Sequence, residues 1–289
     1  MKFDFRNKVF VITGCAGGIG SHLASVIAEK GSFVVGLDLN ENKLNKVIKE
    51  LPGENHLAIA FDLTDKSAIK RAIDQIENKY HKIDVLVNNA AITSAERFDE
   101  RSVESIETEL DINLLSPLIL TRLAIDLLKK SSDPRILTTV SLGGIFPLGE
   151  TPIYTTSKFG LRGAMLGIGL DLNRKGIKVS SILPSATDTP MLHREAIEGG
   201  NSLQFMDPPQ STDKVVQSFL KSLDNPKLER YPKPSESWLV RIAMVVPDLL
   251  PKLMPLFVGR GNKGHKRYLK ELEKRGIIKS VNGKYELND

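Results

Sequence analysis

The 289-residue sequence predicts an α/β protein with a doubly wound parallel sheet, helices on both faces of the sheet and a helical C-terminal extension. Short apolar runs rich in β-branched residues alternate with longer segments of helical periodicity. Strands that are apolar along their whole length are typical of a parallel sheet covered on both faces. Hydrophobic residues make up 41% of the chain and charged residues 26%, which excludes disorder of the whole chain.

Six strands are predicted before residue 184, and segments with the spacing of a helix lie between them. A further helix over 213–223 and a short strand over 228–231 complete a sheet of about seven strands in a domain of residues 1–235. Because helices connect parallel strands, right-handed crossovers place them on both faces of the sheet. The predicted strands are 9–13, 33–38, 57–62, 84–88, 135–140 and 178–183, and the predicted helices between them are 19–30, 42–50, 67–80, 102–130 and 153–174.

Residues 236–289 are predicted to form an extension that is first apolar and then basic. Prolines at positions 247, 251 and 255 interrupt the apolar stretch and disfavour a membrane-spanning helix. A charged helix is predicted over 265–275, and an Asn-Gly pair predicts a hairpin over 277–287. The apolar stretch either packs on the main domain or docks, together with the basic tail, on an anionic membrane surface.

The net charge of +5 equals the charge of residues 259–289, which hold nine lysines and arginines against four acids. The main domain is therefore nearly neutral, which gives no support for nucleic-acid binding by it. A single cysteine, Cys15, excludes an intramolecular disulfide and a multi-cysteine metal site, and no metal is expected. Together with an N-terminus unlike a signal peptide, this predicts a cytoplasmic protein, with membrane association as the alternative.

A glycine-rich turn follows the first predicted strand and opens the first helix. Gly14 permits the tight turn, Gly18 lets the backbone approach a pyrophosphate, and Gly20 allows the helix to pack closely on the sheet. The helix N-terminus presents unpaired N–H groups to the anion. With Gly17 and Ile19, the turn predicts a Rossmann-type dinucleotide site, although an ordinary tight turn has a similar composition.

The second predicted strand ends in Asp38, where a carboxylate accepts hydrogen bonds from the adenosine ribose hydroxyls. Its charge would repel a 2′-phosphate. The glycine turn contains no Lys or Arg, and none follows Asp38 directly, so no cation is predicted there to neutralise that phosphate. NAD is therefore predicted rather than NADP. Asp62 is placed to contact the adenine, and the neighbours Leu39 and Leu63 are included in this predicted site. Either acid alone is also typical of a turn or helix cap.

The fourth predicted strand ends in Asn88, followed by Asn89, Ala90 and Ala91, at the edge of the sheet where open α/β folds bind ligands. These residues are predicted to line the cofactor site. A loop cap is the simpler alternative for the asparagines, and only their combination with the glycine turn favours a cofactor.

Tyr154 and Lys158 lie four residues apart, on one face of a predicted helix. An ordinary amphipathic helix would explain that spacing. A phenol with a pKa near 10 acts as an acid or base at neutral pH only if its phenolate is stabilised by about 4 kcal/mol. The Lys158 ammonium and a nicotinamide cation can supply this, and Ser141 can hold a substrate oxygen at the tyrosine.

These motifs, in this order and spacing, resemble the short-chain dehydrogenase/reductase family over about residues 8–231. The matching pattern consists of Thr13-Gly-x-x-x-Gly18-x-Gly20, Asn88-Asn89-Ala90, Asn113, Ser141, Tyr154-x-x-x-Lys158 and residues 184–189. The resemblance implies an NAD(P)-dependent oxidoreductase that interconverts an alcohol and a ketone. Two departures are Ala91 and Ser185, where the family has glycine; both reduce backbone freedom near the nicotinamide without removing a reacting group.

The resemblance implies a catalytic tetrad of Asn113, Ser141, Tyr154 and Lys158. In it, Lys158 also binds the nicotinamide ribose and Asn113 helps to hold a water in a proton relay. Beyond the tetrad it implies cofactor contacts by Pro184, Thr187 and Thr189, the last of these to the nicotinamide carboxamide.

Residues 187–210 are expected to be a substrate loop that folds over the site as a lid. Its apolar side chains suggest a lipophilic secondary alcohol or ketone, such as a steroid, a retinoid or an acyl chain. These side chains are Met191, Leu192, Leu203, Phe205 and Met206.

Several glycines in the helix 153–174 cost helix stability, and close packing in a homodimer or homotetramer, which the resemblance also implies, would offset that cost. Two other classes of function stay open. One is a catalytically silent NAD-binding scaffold or sensor. The other is a membrane or nucleic-acid interaction protein that acts through the basic tail, although a solvated charged helix explains that tail more simply.

Overall fold

The structure is a computed structural model that describes residues 2–235, 244–281 and 283–288. Seven parallel strands form one sheet in the order β3-β2-β1-β4-β5-β6-β7. The strand order reverses between β1 and β4, which makes this the switch point where open sheets of this kind bind ligands. The strands are β1 Val9–Thr13, β2 Phe33–Asp38, β3 Leu57–Ala60, β4 Val85–Asn88, β5 Arg135–Thr139, β6 Lys178–Ile182 and β7 Glu229–Arg230.

Helices cover both faces of this sheet, so the predicted doubly wound Rossmann fold is confirmed. Helices α1, α2 and α8 pack on one face, and α3, α5 and α6 pack on the other. The helices are α1 Gly18–Glu29, α2 Glu41–Glu50, α3 Lys66–Tyr80, α4 Val103–Leu110, α5 Ser116–Leu128, α6 Pro152–Asn173, α7 Pro190–Glu198, α8 Thr212–Asp224 and α9 Leu250–Lys274.

The central strand β1 shows why the strands read as continuous apolar runs. Val9 and Val11 belong to the core beneath one face of the sheet, whereas Phe10 and Ile12 belong to the core beneath the other. All four side chains are buried. Because alternate side chains point to opposite faces, a strand with helices on both sides needs apolar residues at every position.

The prediction of one continuous helix over 102–130 is wrong. It consists of α4 and α5 joined by a wide π-helical turn over Asp111–Leu115, in which Ser116 N–H donates to the Asp111 carbonyl five residues earlier. Such turns interrupt the regular hydrogen bonding of a helix and are frequent at functional sites. Asn113 lies in the middle of this turn.

The third strand ends at Ala60, two residues before its predicted end at Asp62. The Asp62 carboxylate accepts a hydrogen bond from Thr64 N–H at 2.8 Å, and the Asp62 carbonyl accepts one from Asp65 N–H at 3.0 Å. These bonds form a tight turn that competes with strand pairing.

In the extension, the helix predicted over 265–275 begins earlier, at Leu250. Pro251 lies in the first turn of α9, where a missing N–H removes no helical hydrogen bond, although Pro255 does lie inside the helix. No helix in the described ranges is both long and apolar enough to cross a membrane. The apolar stretch predicted over 238–258 begins in residues 236–243, which lie outside the described residues.

The predicted hairpin is confirmed as an antiparallel pair, β8 Ile278–Val281 and β9 Lys284–Leu287. Gly283 between them has a φ of +79°, a backbone conformation that glycine adopts without strain.

Residues 187–210 were predicted to be a loop, and this is wrong for most of the segment. It contains α7 and a 3₁₀ turn, Ser202–Phe205. Thr189 caps the N-terminus of α7 before Pro190, and Gly199 ends it with a φ of +85°. This cap-Pro…Gly pattern is a helix signal that was present in the sequence.

Helix α9 packs directly on this segment through residues of the basic part of the extension. Tyr268 and Leu272 of α9 share a buried cluster with Leu192 and Phe205. A Cβ at Gly264 would lie 1.7 Å from the Phe205 carbonyl oxygen, so only glycine permits this approach of the two backbones. The apolar character of Leu192 and Phe205 suggested that they contact a substrate. In the structure both belong to an internal core, so they are not free to do so.

Candidate active site

The glycine turn brings β1, α1 and β4 together at the carboxyl edge of the sheet. Gly14 has a φ of +63°, and a Cβ there would lie 2.9 Å from the Ala90 Cα. A Cβ at Gly20 would lie 2.1 Å from the Gly14 carbonyl oxygen. Gly17 caps α1 without a side-chain hydrogen bond, which leaves the N-terminal N–H groups of the helix to a ligand.

The Asp38 carboxylate is fixed beside this turn by two backbone donors. Ala16 N–H donates to Oδ2 at 2.9 Å and Asn40 N–H donates to Oδ1 at 3.0 Å. Leu39 is 70% exposed next to it, which gives a predicted nucleotide site an apolar surface. Asp62, predicted near the adenine, is exposed and closes the turn after β3, while the Leu63 carbonyl accepts a hydrogen bond from Ser116 Oγ at 2.6 Å.

Asn89 holds the switch point together. Its side-chain amide donates to the Thr13 carbonyl at 3.1 Å, and its Oδ1 accepts from Thr139 Oγ1 at 3.0 Å. Asn89 N–H and Ala90 N–H both donate to Thr13 Oγ1. These bonds tie β1, β4 and β5 at the edge of the sheet. The asparagine thus positions the loop that continues through Ala90 and Ala91.

Ser141, Tyr154 and Lys158 lie together on the opposite side of the switch point from Asp38. Both side chains flank Gly143, where a Cβ would lie 3.4 Å from Ser141 Oγ and 3.3 Å from Tyr154 Cε1. Gly143 N–H donates to Ser141 Oγ at 3.0 Å. Lys158 Nζ is 5.5 Å from the centre of the Tyr154 ring. The helical spacing that the sequence suggested therefore does place the lysine against the phenol.

Burial shapes the ionisation of both groups. It raises the pKa of Tyr154 well above its ordinary value, and the charges of Glu195 and Glu109 add to this, whereas the neighbouring Ser141 hydroxyl lowers the pKa. Burial also lowers the pKa of Lys158 to about 8. The protein alone therefore keeps Tyr154 protonated at neutral pH, and a further positive charge is needed to lower its pKa.

Lys158 also provides a test of whether a nicotinamide nucleotide fits. Its side chain is 1% exposed, and Nζ donates to the Thr139 carbonyl at 3.2 Å. In the described part of the chain this is its only hydrogen-bond acceptor, which leaves two N–H donors of a buried ammonium without a partner. Ribose hydroxyls would satisfy them, so the residues present fit the predicted cofactor.

Asn113 reaches the same site from the wide turn between α4 and α5. Its side chain is fully buried, with Oδ1 accepting from Ile92 N–H and Nδ2 donating to the Ile92 carbonyl, both at 2.8 Å. Nδ2 also donates to Ser157 Oγ at 3.2 Å. Both N–H groups of the amide are therefore used by protein groups, and its oxygen already accepts one hydrogen bond.

The predicted nicotinamide contacts also converge on this edge. A Cβ at Gly18 would lie 3.0 Å from Thr189 Cγ2, so Thr189 faces the glycine turn. The Pro184 carbonyl accepts from Leu142 N–H at 2.9 Å, next to Ser141, and Thr187 Oγ1 donates to the Ser185 carbonyl at 3.0 Å. The structure thus brings the residues predicted for the nicotinamide end of the site to one place.

Sequence reasoning missed three charged residues near the site. Glu109 and Arg101 form a buried ion pair with a distance of 2.6 Å, and the negative charge of Glu109 partly opposes the lowering of the Lys158 pKa. Glu195 lies in α7 and is 8% exposed. For Glu109 the sequence did contain a signal. It lies one helical turn before Asn113, so a carboxylate was expected on the same inner face of the predicted helix as a site residue.

Comparison with known proteins adds a family match. The family model described as "short chain dehydrogenase" matches residues 8–198. A 3beta-hydroxysteroid dehydrogenase of Mediterraneibacter gnavus is 30% identical over 202 residues, which cover 67% of this chain and 71% of that protein. A D-threitol dehydrogenase of Mycolicibacterium smegmatis is 28% identical over 198 residues, which cover 67% and 76% of the respective chains.

Solved structures show the same fold. A short chain dehydrogenase/reductase from Burkholderia phymatum in complex with NAD has a TM-score of 0.78 at 19% identity, covering 86% of this chain and 96% of that one. A short chain dehydrogenase from Burkholderia cenocepacia in complex with NADP has a TM-score of 0.70 at 24% identity, covering 78% and 96%. One neighbour is bound to NAD and the other to NADP, so this likeness does not select between the two cofactors.

Proposed function

The chain belongs to the short chain dehydrogenase family and is an oxidoreductase, and on that premise we propose that it interconverts a secondary alcohol and a ketone with NAD(H). The observation that carries the proposal is the meeting of Ser141, Tyr154 and Lys158 at the switch point, opposite the glycine turn. A panel of secondary alcohols and ketones, followed by NADH absorbance, tests it directly.

In the proposed mechanism, Tyr154 is the acid/base at the substrate oxygen, and Ser141 donates a hydrogen bond that holds the oxygen there. A bound nicotinamide cofactor supplies the hydride donor or acceptor and, when oxidised, a positive charge near the phenol. Lys158, with its pKa of about 8, is protonated over most of the neutral range, so its ammonium stabilises the phenolate and holds the nicotinamide ribose. These roles account for two buried donors that the protein leaves unpaired.

The proton needs a path from Tyr154 to solvent. We place one end of it at the wide turn over Asp111–Leu115, because that turn redirects main-chain carbonyls that a regular helix would pair. Since the Asn113 amide is held by Ile92, the water of the proposed relay is bound by a main-chain carbonyl of this turn. Asn113 then acts as the anchor that holds the turn in place.

The proposed cofactor is NAD, because Asp38 presents a fixed carboxylate where the 2′-phosphate of NADP would lie. We expect the protein to bind NADH at least about tenfold more tightly than NADPH. Asp38→Asn is expected to reduce the difference in affinity between NADH and NADPH, because the substitution removes the negative charge of the carboxylate. The measurement is the fluorescence titration of both nucleotides. Comparable affinities of the unaltered protein for the two would rule out this role of Asp38.

The control for this experiment is Asp74→Asn, which removes an exposed acid on α3 away from the site. It changes the net charge by the same amount and should leave the NADH-to-NADPH ratio unchanged. Asp38→Asn keeps one oxygen that can accept from Asn40 N–H but loses the acceptor of Ala16 N–H, so the Tm of this variant is compared with that of Asp74→Asn.

We propose a substrate with an apolar body, in keeping with the composition of residues 187–210. Met191 is exposed and Leu203 and Met206 are partly exposed, which leaves three of the five apolar side chains available to it. The relative named for a hydroxysteroid supports this class, whereas the relative named for threitol does not. Intact Ser141, Tyr154 and Lys158 weigh against a catalytically silent scaffold.

We also propose a homodimer or homotetramer that uses the outer face of α6. A Cβ at Gly163 or Gly167 would meet nothing within 4 Å, and Leu170 on the same face is 68% exposed. Gly163→Arg is expected to shift the molar mass measured by light scattering to that of the monomer, whereas Gly259→Arg, at an open position on α9, should not. A monomeric mass for the unaltered protein would contradict this proposal.

Peripheral membrane contact through the extension stays a prediction from the sequence. The structure adds only that Val245 is 77% exposed and that Val246 and Leu249 are exposed as well. The inner face of α9 is buried against the main domain, so any such contact is restricted to its outer face and to the residues before it.

A further inference from the structure

Glu195 is a buried carboxyl group in a segment that is otherwise packed with apolar side chains. It lies on the inner face of α7 between the buried residues Leu192 and Ala196, and it is 8% exposed. Its Oε2 accepts a hydrogen bond from Gln204 Nε2 at 2.7 Å. In the ranges that the structure describes, it has no cationic partner and no second hydrogen bond to its side chain.

The surroundings of Glu195 disfavour its charged form. Burial raises its pKa to about 7; the Gln204 hydrogen bond opposes this, and the charges of Glu198 and Glu109 add to it. A buried carboxyl group without a cation is costly unless its oxygens are hydrogen-bonded. Gln204 offers one bond, which leaves most of the acceptor capacity of the group unused.

Glu195 also acts on the reacting group of the proposed mechanism. Its charge is one of the main causes that raise the pKa of the Tyr154 phenol. The segment that follows α7 contacts the loop before Tyr154, where Ser202 Oγ donates to Glu150 Oε1 at 3.4 Å. Through Gln204 and the 3₁₀ turn, the carboxyl group is therefore connected to the loop that leads into Tyr154, and its charge acts on the phenol.

We propose that Glu195 is a specificity-determining residue that accepts a hydrogen bond from a second donor group of the substrate, a hydroxyl or an ammonium, next to the reacting carbinol. This inference rests on the proposed alcohol dehydrogenase function and narrows its substrate class. The substrate is then amphipathic, with an apolar body and a vicinal donor. A donor at this place satisfies the unused acceptors of Glu195, and an ammonium also offsets its charge near Tyr154.

The test compares cyclohexanol, its vicinal diol and its vicinal amino alcohol as substrates of the full-length protein with NAD. Glu195→Leu is expected to lower kcat/KM for the diol and the amino alcohol about 10- to 100-fold and to leave cyclohexanol within about threefold. Glu195→Gln should retain the diol but lose the amino alcohol, because the amide still accepts a hydrogen bond and carries no charge. The preference for the amino alcohol should increase as the pH rises through about 7, where Glu195 becomes charged.

Two further variants separate recognition from a structural role. Glu198→Gln removes an exposed acid from the same helix. It should change none of the substrate ratios at a pH well above 7, where Glu195 is charged with or without the neighbouring charge of Glu198. Gln204→Leu removes the hydrogen bond that joins α7 to the 3₁₀ turn but leaves the carboxyl group in place. If Gln204→Leu and Glu195→Leu reduce turnover of all three alcohols equally, Glu195 only supports the fold and the proposal is overturned.

Binding of the three alcohols, followed by the shift in Tm, distinguishes this inference from the function on which it rests. A Tm shift by the diol that Glu195→Leu abolishes, without any turnover, would support the donor site and contradict the dehydrogenase function. If the protein oxidises cyclohexanol and Glu195→Leu leaves the kcat/KM ratios of the three alcohols unchanged, the dehydrogenase function is supported and the donor site is contradicted. The absence of both binding and turnover in the unaltered protein would overturn both.

Discussion

Tyr154→Phe is expected to lower kcat by about 10²- to 10⁴-fold and to leave the affinity for NADH within about twofold. The substitution removes only the hydroxyl that would exchange a proton with the substrate oxygen. The ring still packs beside Lys158 Nζ, which lies 5.5 Å from its centre, so the predicted ribose contact of the lysine is kept. Turnover is measured by NADH absorbance and affinity by fluorescence titration, with a substrate identified from the alcohol panel.

Tyr80→Phe is the matched control, because Tyr80 lies at the end of α3 and its hydroxyl donates to the Asn55 carbonyl, away from the switch point. It removes the same atom and should leave kcat unchanged. Near-normal turnover of Tyr154→Phe would exclude Tyr154 as the acid/base. Tight NADH binding by the unaltered protein, without turnover of any alcohol or ketone, would favour the silent scaffold instead.

Gly264→Ala is expected to destabilise the protein by about 1–3 kcal/mol, because the new Cβ cannot lie 1.7 Å from the Phe205 carbonyl oxygen. Helix α9 must then shift away from the 3₁₀ turn, which opens the cluster formed by Tyr268, Leu272 and Phe205. A Tm lower by about 2–10 °C and faster proteolytic cleavage within α9 are the expected observations. The affected turn also contains Gln204, so KM should rise more than kcat falls.

Gly259→Ala is the control on the same helix, since a Cβ there would meet nothing within 4 Å. It replaces a helical glycine by alanine and should be neutral or stabilising by up to about 1 kcal/mol. If the two variants have the same Tm, the close contact between α9 and the 3₁₀ turn does not exist in solution.

The sequence predicted the features that depend on local pattern. Alternating apolar runs and helical segments determine the doubly wound sheet, because a strand covered on both faces must be apolar at every position, as β1 is. The turn from Gly14 to Gly20 and the spacing of Tyr154 and Lys158 were likewise readable, since glycine conformation and helical periodicity are local properties. The structure places all of these residues at one edge of the sheet.

The tertiary structure decided what covers each apolar face and which polar groups are already satisfied. Leu192 and Phe205 look like substrate contacts in the sequence, but α9 buries them. The Asn113 amide looks free, but Ile92 occupies it. Glu195 looks like one more charge on a surface helix, but it is buried and its charge raises the pKa of Tyr154. Periodicity shows that a helix has an inner face; only the long-range packing of distant segments determines the partner of that face and therefore its chemistry.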